Sequence, residues 1–465
     1  MSFLFTPPQG HRLSPARKIG FTVGDYACNL YWQSVSIYLL FFYTDVVGLS
    51  AGTAGLIYMI ASIFDGMIDP VMGAIADKTR TKHGRYRPYL LWGAVPLGFA
   101  FVLLYFKPPL AGVALVTWIL VAHLIFRVAY TALSIPYTSL NARITDSSAE
   151  RSTLAGFRMI FATLAGLTVA STTQPLAASL GGGDVGKGFT LTAVAYALIA
   201  TAIFPFVYAT TREPQDVPGE AAPVIRMSQY WAAVRGNRAF WAVMAGICTG
   251  VICTTALGKS VLYYFKYYLN DEAAARTALS LNAAVGLVVI PAWIYVTKRI
   301  GKRAAWFTAV IWGIVCLTGF ALVDIRDPGL MIGFLLAMQV CGLGLALTFW
   351  SMLPDTVEYG EWRTGLRAES FIFGLGQFFL KAALGLGAGI FGWSLDLVGF
   401  HPNVAQTPET LQGMKTIMVA LPLAGLVLGG LAMLIYPMKK GVHEDIVGQL
   451  AARRSAPPEV VAELP

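Results

Sequence analysis

Apolar stretches of about 20 residues recur roughly every 35 to 40 positions along the whole chain, and this spacing constrains the fold more than any other feature. Twenty apolar residues in a helix cross a hydrocarbon layer, so the pattern predicts roughly twelve transmembrane helices. They are expected near residues 18–44, 52–76, 88–106, 111–140, 154–180, 187–209, 238–265, 274–298, 303–323, 329–357, 368–397 and 412–437. Composition agrees, because 56% of the residues are hydrophobic and only 13% are charged, whereas a soluble domain carries about 25% charged residues. The expected class is an all-α membrane protein.

No short apolar core followed by a small-residue cleavage site is visible in residues 1–17, so the first helix is expected to be retained. The cysteines Cys28, Cys248, Cys253, Cys316 and Cys341 lie inside apolar stretches without metal-ligand spacing and read as buried free thiols. A formal net charge of +9 raises the question of nucleic acid, but the basic residues are spread over alternate short connections instead of gathered on one domain. Lys and Arg collect at 12–18, 78–87, 143–158, 212–238, 298–303, 363–367 and from 439 onward. That distribution places those connections and both termini in the cytoplasm, as expected of a multi-pass protein of a bacterial inner membrane.

Residues 210–237 break the apolar rhythm with a polar, proline-containing stretch and read as a cytoplasmic linker. The expected organisation is a six-helix bundle over 1–209, the linker 210–237, a second six-helix bundle over 238–438 and a cytoplasmic tail over 439–465. A short echo links the halves: GAIADKTRTKHGRYRPY follows the second helix and YVTKRIGKRAAWF the eighth. Duplicated halves with a shared midplane site are the architecture this suggests.

An ionisable side chain inside a membrane helix costs about 2.5 to 3.5 kcal/mol on insertion scales, so each one marks a functional candidate. Asp65 and Asp69 in FDGMIDP are four residues apart, which puts both carboxylates on one helical face. Two such groups repel unless a proton, a metal cation or a basic side chain lies between them. Pro70 cannot donate to the Gly66 carbonyl, which adds an oxygen beside them. The pair therefore reads as a cation site, or else as an ion-paired brace between helices. Lys381, in QFFLKAALGLG, sits mid-helix and needs a carboxylate partner, for which Asp65 and Asp69 are the candidates and coupling the expected role.

In the fourth helix Arg127, Thr131 and Ser134 share one face that can line a polar cavity, ahead of Pro136. Arg158 stands near the start of the fifth helix, where it can contact lipid phosphate or substrate, and His123 and Lys259 are weaker candidates. Asp25, Asn29, Tyr31, Trp32 and Gln33 on the first helix combine hydrogen-bonding groups with aromatic faces, a surface suited to sugars.

The segments FFYTDVVGLSAGTAGLIYMIASIFDGMIDPVMG, IADKTRTKHGRYRPYLLWG, LPDTVEYGEWRTGLRAES and HPNVAQTPETLQGMKTIMVALP together resemble the glycoside-pentoside-hexuronide:cation symporters. These are the melibiose permease-like branch of the major facilitator superfamily. The resemblance spans nearly the whole chain and implies alternating access with cation-coupled sugar uptake. By the same resemblance, Asp65, Asp69 and Thr131 match cation-binding positions, Lys381 a lysine near them, and Arg158 an arginine at the sugar site. Asp77, Asp355, Glu358, Arg363 and Arg367, with Glu369, fall in charged cytoplasmic segments where gating networks are expected. Three departures matter: Ile68 replaces an asparagine that helps hold sodium, and Asn29 and Ser134 replace acids that grip galactosyl hydroxyls. Asp25 belongs to a GDxxxN pattern seen in other members.

These readings lead to a secondary transporter in which Asp65, Asp69 and Thr131 bind H+ or Na+, with the proton favoured because Ile68 removes one oxygen ligand. Asp25, Asn29, Trp32, Arg127, Ser134 and Arg158 are expected to bind a sugar or glycoside. The added Arg127 makes an anionic sugar, such as a uronide or a sulfonated hexose, a substrate candidate. Lysolipid import and a non-transporting membrane sensor are the alternatives. No nucleophile and base pair, metal motif or phosphate loop points to an enzyme, and the expected protein is a monomer with no cofactor beyond its coupling ion and no nucleic-acid partner. The run GLGAGIFG reads as close helix packing.

Overall fold

The computed structural model describes residues 14–144, 148–211, 213, 230–231, 234–366, 368–439 and 441–455, and among these it is helical with no β-strand. The first helices are α1 (Pro15–Phe41), α2 (Ala51–Lys78), α3 (Arg87–Trp92), α4 (Ala94–Leu104), α5 (Gly112–Ile144), α6 (Ser148–Gly181) and α7 (Val185–Thr210). They are followed by α8 (Arg238–Tyr263), α9 (Glu272–Ile300), α10 (Lys302–Leu322), α11 (Pro328–Thr364), α12 (Glu369–Leu397), α13 (Pro408–Leu434) and α14 (Val442–Ser455). Six-residue and five-residue π-helical turns, Phe42–Val47 and Tyr264–Tyr268, extend α1 and α8.

Local chemistry sets the helix ends. Ser50 accepts from the Thr53 amide at 3.2 Å to start α2, and Asp327 accepts from the Leu330 amide at 2.8 Å ahead of Pro328 to start α11. Gly365, at φ 71°, ends α11 in the left-handed conformation that glycine adopts without steric cost. This helix therefore runs past the predicted end at residue 357. The predicted helix over 88–106 is interrupted at Gly93, which separates α3 from α4.

Ten helices among the described residues are long and apolar enough to cross a membrane. Their outward faces fit that role: Val113 is 83% exposed, Leu322 82% and Val288 74%, where water would make such apolar surfaces costly and lipid does not. The 27-residue α1 and the α3 and α4 pair complete a set consistent with twelve spans.

The chain forms two compact units. One is drawn from residues 1–220, 258–284 and 388–415, the other from 221–257, 285–387 and 416–465. In the first, α1 packs on α6 and α7, α2 on α5, and α4 on α5 and α7. In the second, α10 packs on α11 and α11 on α14. Most of the expected linker 210–237 lies outside the described residues, and two stretches from beyond it, 258–284 and 388–415, pack into the first unit. Glycine explains one of them: a Cβ at Gly392 would stand 2.2 Å from the Ala51 carbonyl oxygen, and one at Gly55 would stand 2.8 Å from that of Ala388. The α2 backbone and the last turns of α12 thus touch where only glycine fits. Polar contacts from α8 and its π-turn, described below, explain the other.

Candidate functional site

The site in the first unit begins with the four-residue spacing in α2, which stacks Asp65 over Asp69, and with the packing of α2 on α5. Thr131 of α5 lies between the two carboxylates, its Oγ1 2.8 Å from Asp65 Oδ1 and 3.0 Å from Asp69 Oδ1. Asp65 and Thr131 are wholly buried and Asp69 is half-buried. A hydroxyl has one proton to donate, so it can serve only one of these carboxylates at a time.

One turn before Thr131, Arg127 supplies the compensating charge. Its Nη1 donates to Asp65 Oδ2 at 3.3 Å, its Nη2 to Ser62 Oγ at 3.3 Å, and its Nε to His123 Nε2 at 3.3 Å. Accepting that last bond makes Nε2 the unprotonated nitrogen of His123, which leaves Nδ1 to donate toward the Tyr43 hydroxyl at 3.3 Å. The guanidinium also lies 5.5 Å from the Trp32 ring and 5.7 Å from the Tyr58 ring, and is 2% exposed. Arg127 and Trp32, both expected to bind substrate, are therefore gathered around the carboxylate pair.

A second constellation joins α1, α5 and α6. Arg158 holds Asp25 with two hydrogen bonds, Nε to Oδ2 at 2.7 Å and Nη2 to Oδ1 at 3.1 Å, and the Tyr137 hydroxyl lies 2.6 Å from Asp25 Oδ2. The side chains keep 21% and 11% of their exposure, so this pair stays reachable. Asn29 turns its amide back to the Asp25 carbonyl at 2.8 Å, and Ser134 is half-buried one turn beyond Thr131. Lys381 is half-buried on α12, in the second unit, whereas Asp65 and Asp69 belong to the first.

The expected gating residues fall into separate clusters. Asp77 is exposed and accepts from the Tyr86 hydroxyl at 2.5 Å, and burial together with this carboxylate raises the Tyr86 pKa above its ordinary value. Asp355 takes Lys302 Nζ on both oxygens at 2.7 Å, and His443 of α14 bonds Glu358 and lies 3.5 Å from Asp355. Arg363 is exposed and donates to the Gly236 carbonyl at 3.1 Å, and Arg367 lies outside the described residues.

Several polar groups escaped the sequence reading. Asp45, in the first π-turn, accepts from Lys266 Nζ at 2.6 Å and from the Tyr267 hydroxyl, while Asn403 Nδ2 donates to its carbonyl at 2.6 Å. Lys259, by contrast a weaker candidate from the sequence, donates to the Ser36 carbonyl and sits 4.3 Å from the Tyr58 ring centre. Glu213 accepts from the backbone amides of Arg85 and Tyr86, both at 3.0 Å. Asp45 and its partners Lys266 and Asn403 are 221 and 358 residues apart, so no local pattern announces them. The only signal was ionisable groups at the rims of apolar stretches.

The family described as MFS/sugar transport protein matches residues 20–440. The isoprimeverose transporter of Lactiplantibacillus pentosus is 32% identical, over 91% of this chain and 89% of its own length. An uncharacterised symporter of Bacillus subtilis, YnaJ, is 30% identical over 95% of this chain and 96% of its own. Among solved structures, a bacterial homologue of the human lysosomal transporter Spinster aligns with TM-score 0.66 at 13% identity, covering 91% of this chain and 98% of that one, which speaks for the fold alone.

Proposed function

The chain belongs to the MFS/sugar transport protein family and is a multi-span membrane transporter, and on that premise we propose that it moves a sugar or glycoside together with a proton. The observation that carries this reading is the Thr131 hydroxyl placed between the Asp65 and Asp69 carboxylates. In the proposed proton-loaded state Asp69 carries the coupling proton and donates it to Thr131, which then donates to Asp65. Sugar binding is assigned to the part-exposed Asp25 and Arg158 pair, whose donors and acceptors can be traded for hydroxyls, with Trp32 offering an aromatic face.

The case for an anionic sugar loses its main support, since the Arg127 charge is matched by Asp65 and that of Arg158 by Asp25. A neutral sugar or glycoside fits two compensated pairs better. The names of two similar proteins, a transporter of isoprimeverose and a symporter, support symport of a sugar or glycoside without deciding its charge.

Substrate counterflow in proteoliposomes with neutral glycosides, uronides and sulfonated sugars tests it. Exchange of a neutral member is expected, and Asp69→Asn should retain exchange while losing accumulation driven by an inward proton gradient. Exchange of uronides alone would reinstate the anionic substrate. Accumulation by Asp69→Asn equal to wild type would overturn the proton site.

A further inference from the structure

The α2 and α5 site contains a positive charge that cannot leave. Arg127 is 2% exposed, and each nitrogen of its guanidinium has an acceptor, Asp65, Ser62 or His123. An arginine does not deprotonate inside a protein, so this +1 charge persists whatever the bulk pH. A metal ion binding between Asp65 and Asp69 would be placed a few ångströms from that charge, in surroundings where repulsion is poorly screened. It would also need the oxygens of Ser62, Asp65 and Thr131, which already hold bonds to Arg127 or to one another.

We propose that the Arg127 guanidinium is the resident counter-ion of the Asp65 carboxylate and is the residue that excludes sodium from the site. Arg127 is thus a specificity-determining residue for the coupling ion, not a substrate ligand. The inference rests on reading the α2 and α5 carboxylates as the coupling site and says why a proton, and no metal, serves there. Removing the guanidinium leaves the Asp65 and Asp69 carboxylates beside the Ser62 and Thr131 hydroxyls, the hard oxygen set that an alkali cation takes.

The test is thermal unfolding of the purified protein in detergent, with sodium chloride compared with choline chloride at equal ionic strength and no sugar present. Wild type should show no sodium-specific shift. Arg127→Ala should gain a sodium-specific rise of roughly 3 °C, which the Asp65→Asn change should abolish in the double variant. Arg127→Gln, which keeps most of the side-chain volume without the charge, serves if the alanine variant fails to fold. A sodium-specific rise in wild type overturns the proposal by itself, and so does a folded Arg127 variant that ignores sodium. Because no transport is measured, failure to find a sugar in counterflow leaves this outcome untouched.

Discussion

Two arginine and aspartate pairs lie in the same compact unit, and they differ in one physical respect. Arg127 with Asp65 is sealed from solvent, with side chains 2% and 0% exposed, whereas Arg158 with Asp25 retains 21% and 11%. Charges in the sealed pair have no water to fall back on, so breaking it leaves an uncompensated ion in a low dielectric. The open pair has shorter contacts and a bidentate geometry, yet its members can exchange partners with water or a ligand. The comparison teaches that the same two residue types act as a fixed electrostatic element in one place and as an exchangeable surface in the other.

The sharpest way to break this contrast is to neutralise one acid from each pair. Asp65→Asn should destabilise the protein by about 3 to 5 kcal/mol, because it strands Arg127. Asp25→Asn should cost only about 1 to 2 kcal/mol, the worth of charged hydrogen bonds with solvent at hand. Thermal or chemical unfolding of both variants decides the matter, and equal losses would erase the distinction.

Thr131→Val, of similar shape but without the hydroxyl, should cost about 1 to 3 kcal/mol by removing the hydroxyl contact to both carboxylates. Its effect should be less than additive with Asp65→Asn in a double-mutant cycle, since both remove one contact. Additivity would separate Thr131 from the sealed pair.

At the open pair, Arg158→Ala should raise the half-saturating sugar concentration in counterflow at least tenfold, about 1.4 kcal/mol, with a stability loss no larger than the loss of about 1 to 2 kcal/mol expected for Asp25→Asn. A large fall in stability with unchanged apparent affinity would turn Arg158 into a structural brace. The smallest effect is expected at Arg363→Ala, whose side chain is exposed and donates to a backbone carbonyl at 3.1 Å. Its stability should change by less than about 0.5 kcal/mol, which unfolding curves would register as no shift.

Much of the α2 site was legible in the primary structure because its logic is local. The Asp65 and Asp69 spacing predicts a shared face, and Arg127 and Thr131 are likewise four residues apart on α5. What was not legible is which way Arg127 points. Its long side chain can reach a cavity or a neighbouring helix from the same backbone position, and only the packing of α2 on α5 brings Asp65 within 3.3 Å of it.

Asp45 shows the same limit more strongly. Lys266 and Asn403 reach it from α8's π-turn and the segment before α13, and their sequence separations from Asp45 are 221 and 358 residues. The α3 and α4 break is a smaller case: an apolar run predicts one helix, but periodicity alone does not say that Gly93 will interrupt it.

By itself the sequence determined the membrane class, a pattern of roughly twelve spans and the acidic face of α2, because hydrophobic length and helical periodicity act through neighbours along the chain, while the family came from the resemblance of whole segments. The tertiary structure alone decided the pairing of Arg127 with Asp65 and of Arg158 with Asp25, and the grouping of residues 258–284 and 388–415 with the first unit. The reason is that a buried charge selects its partner by distance in three dimensions, and that distance exists only once the helices have packed.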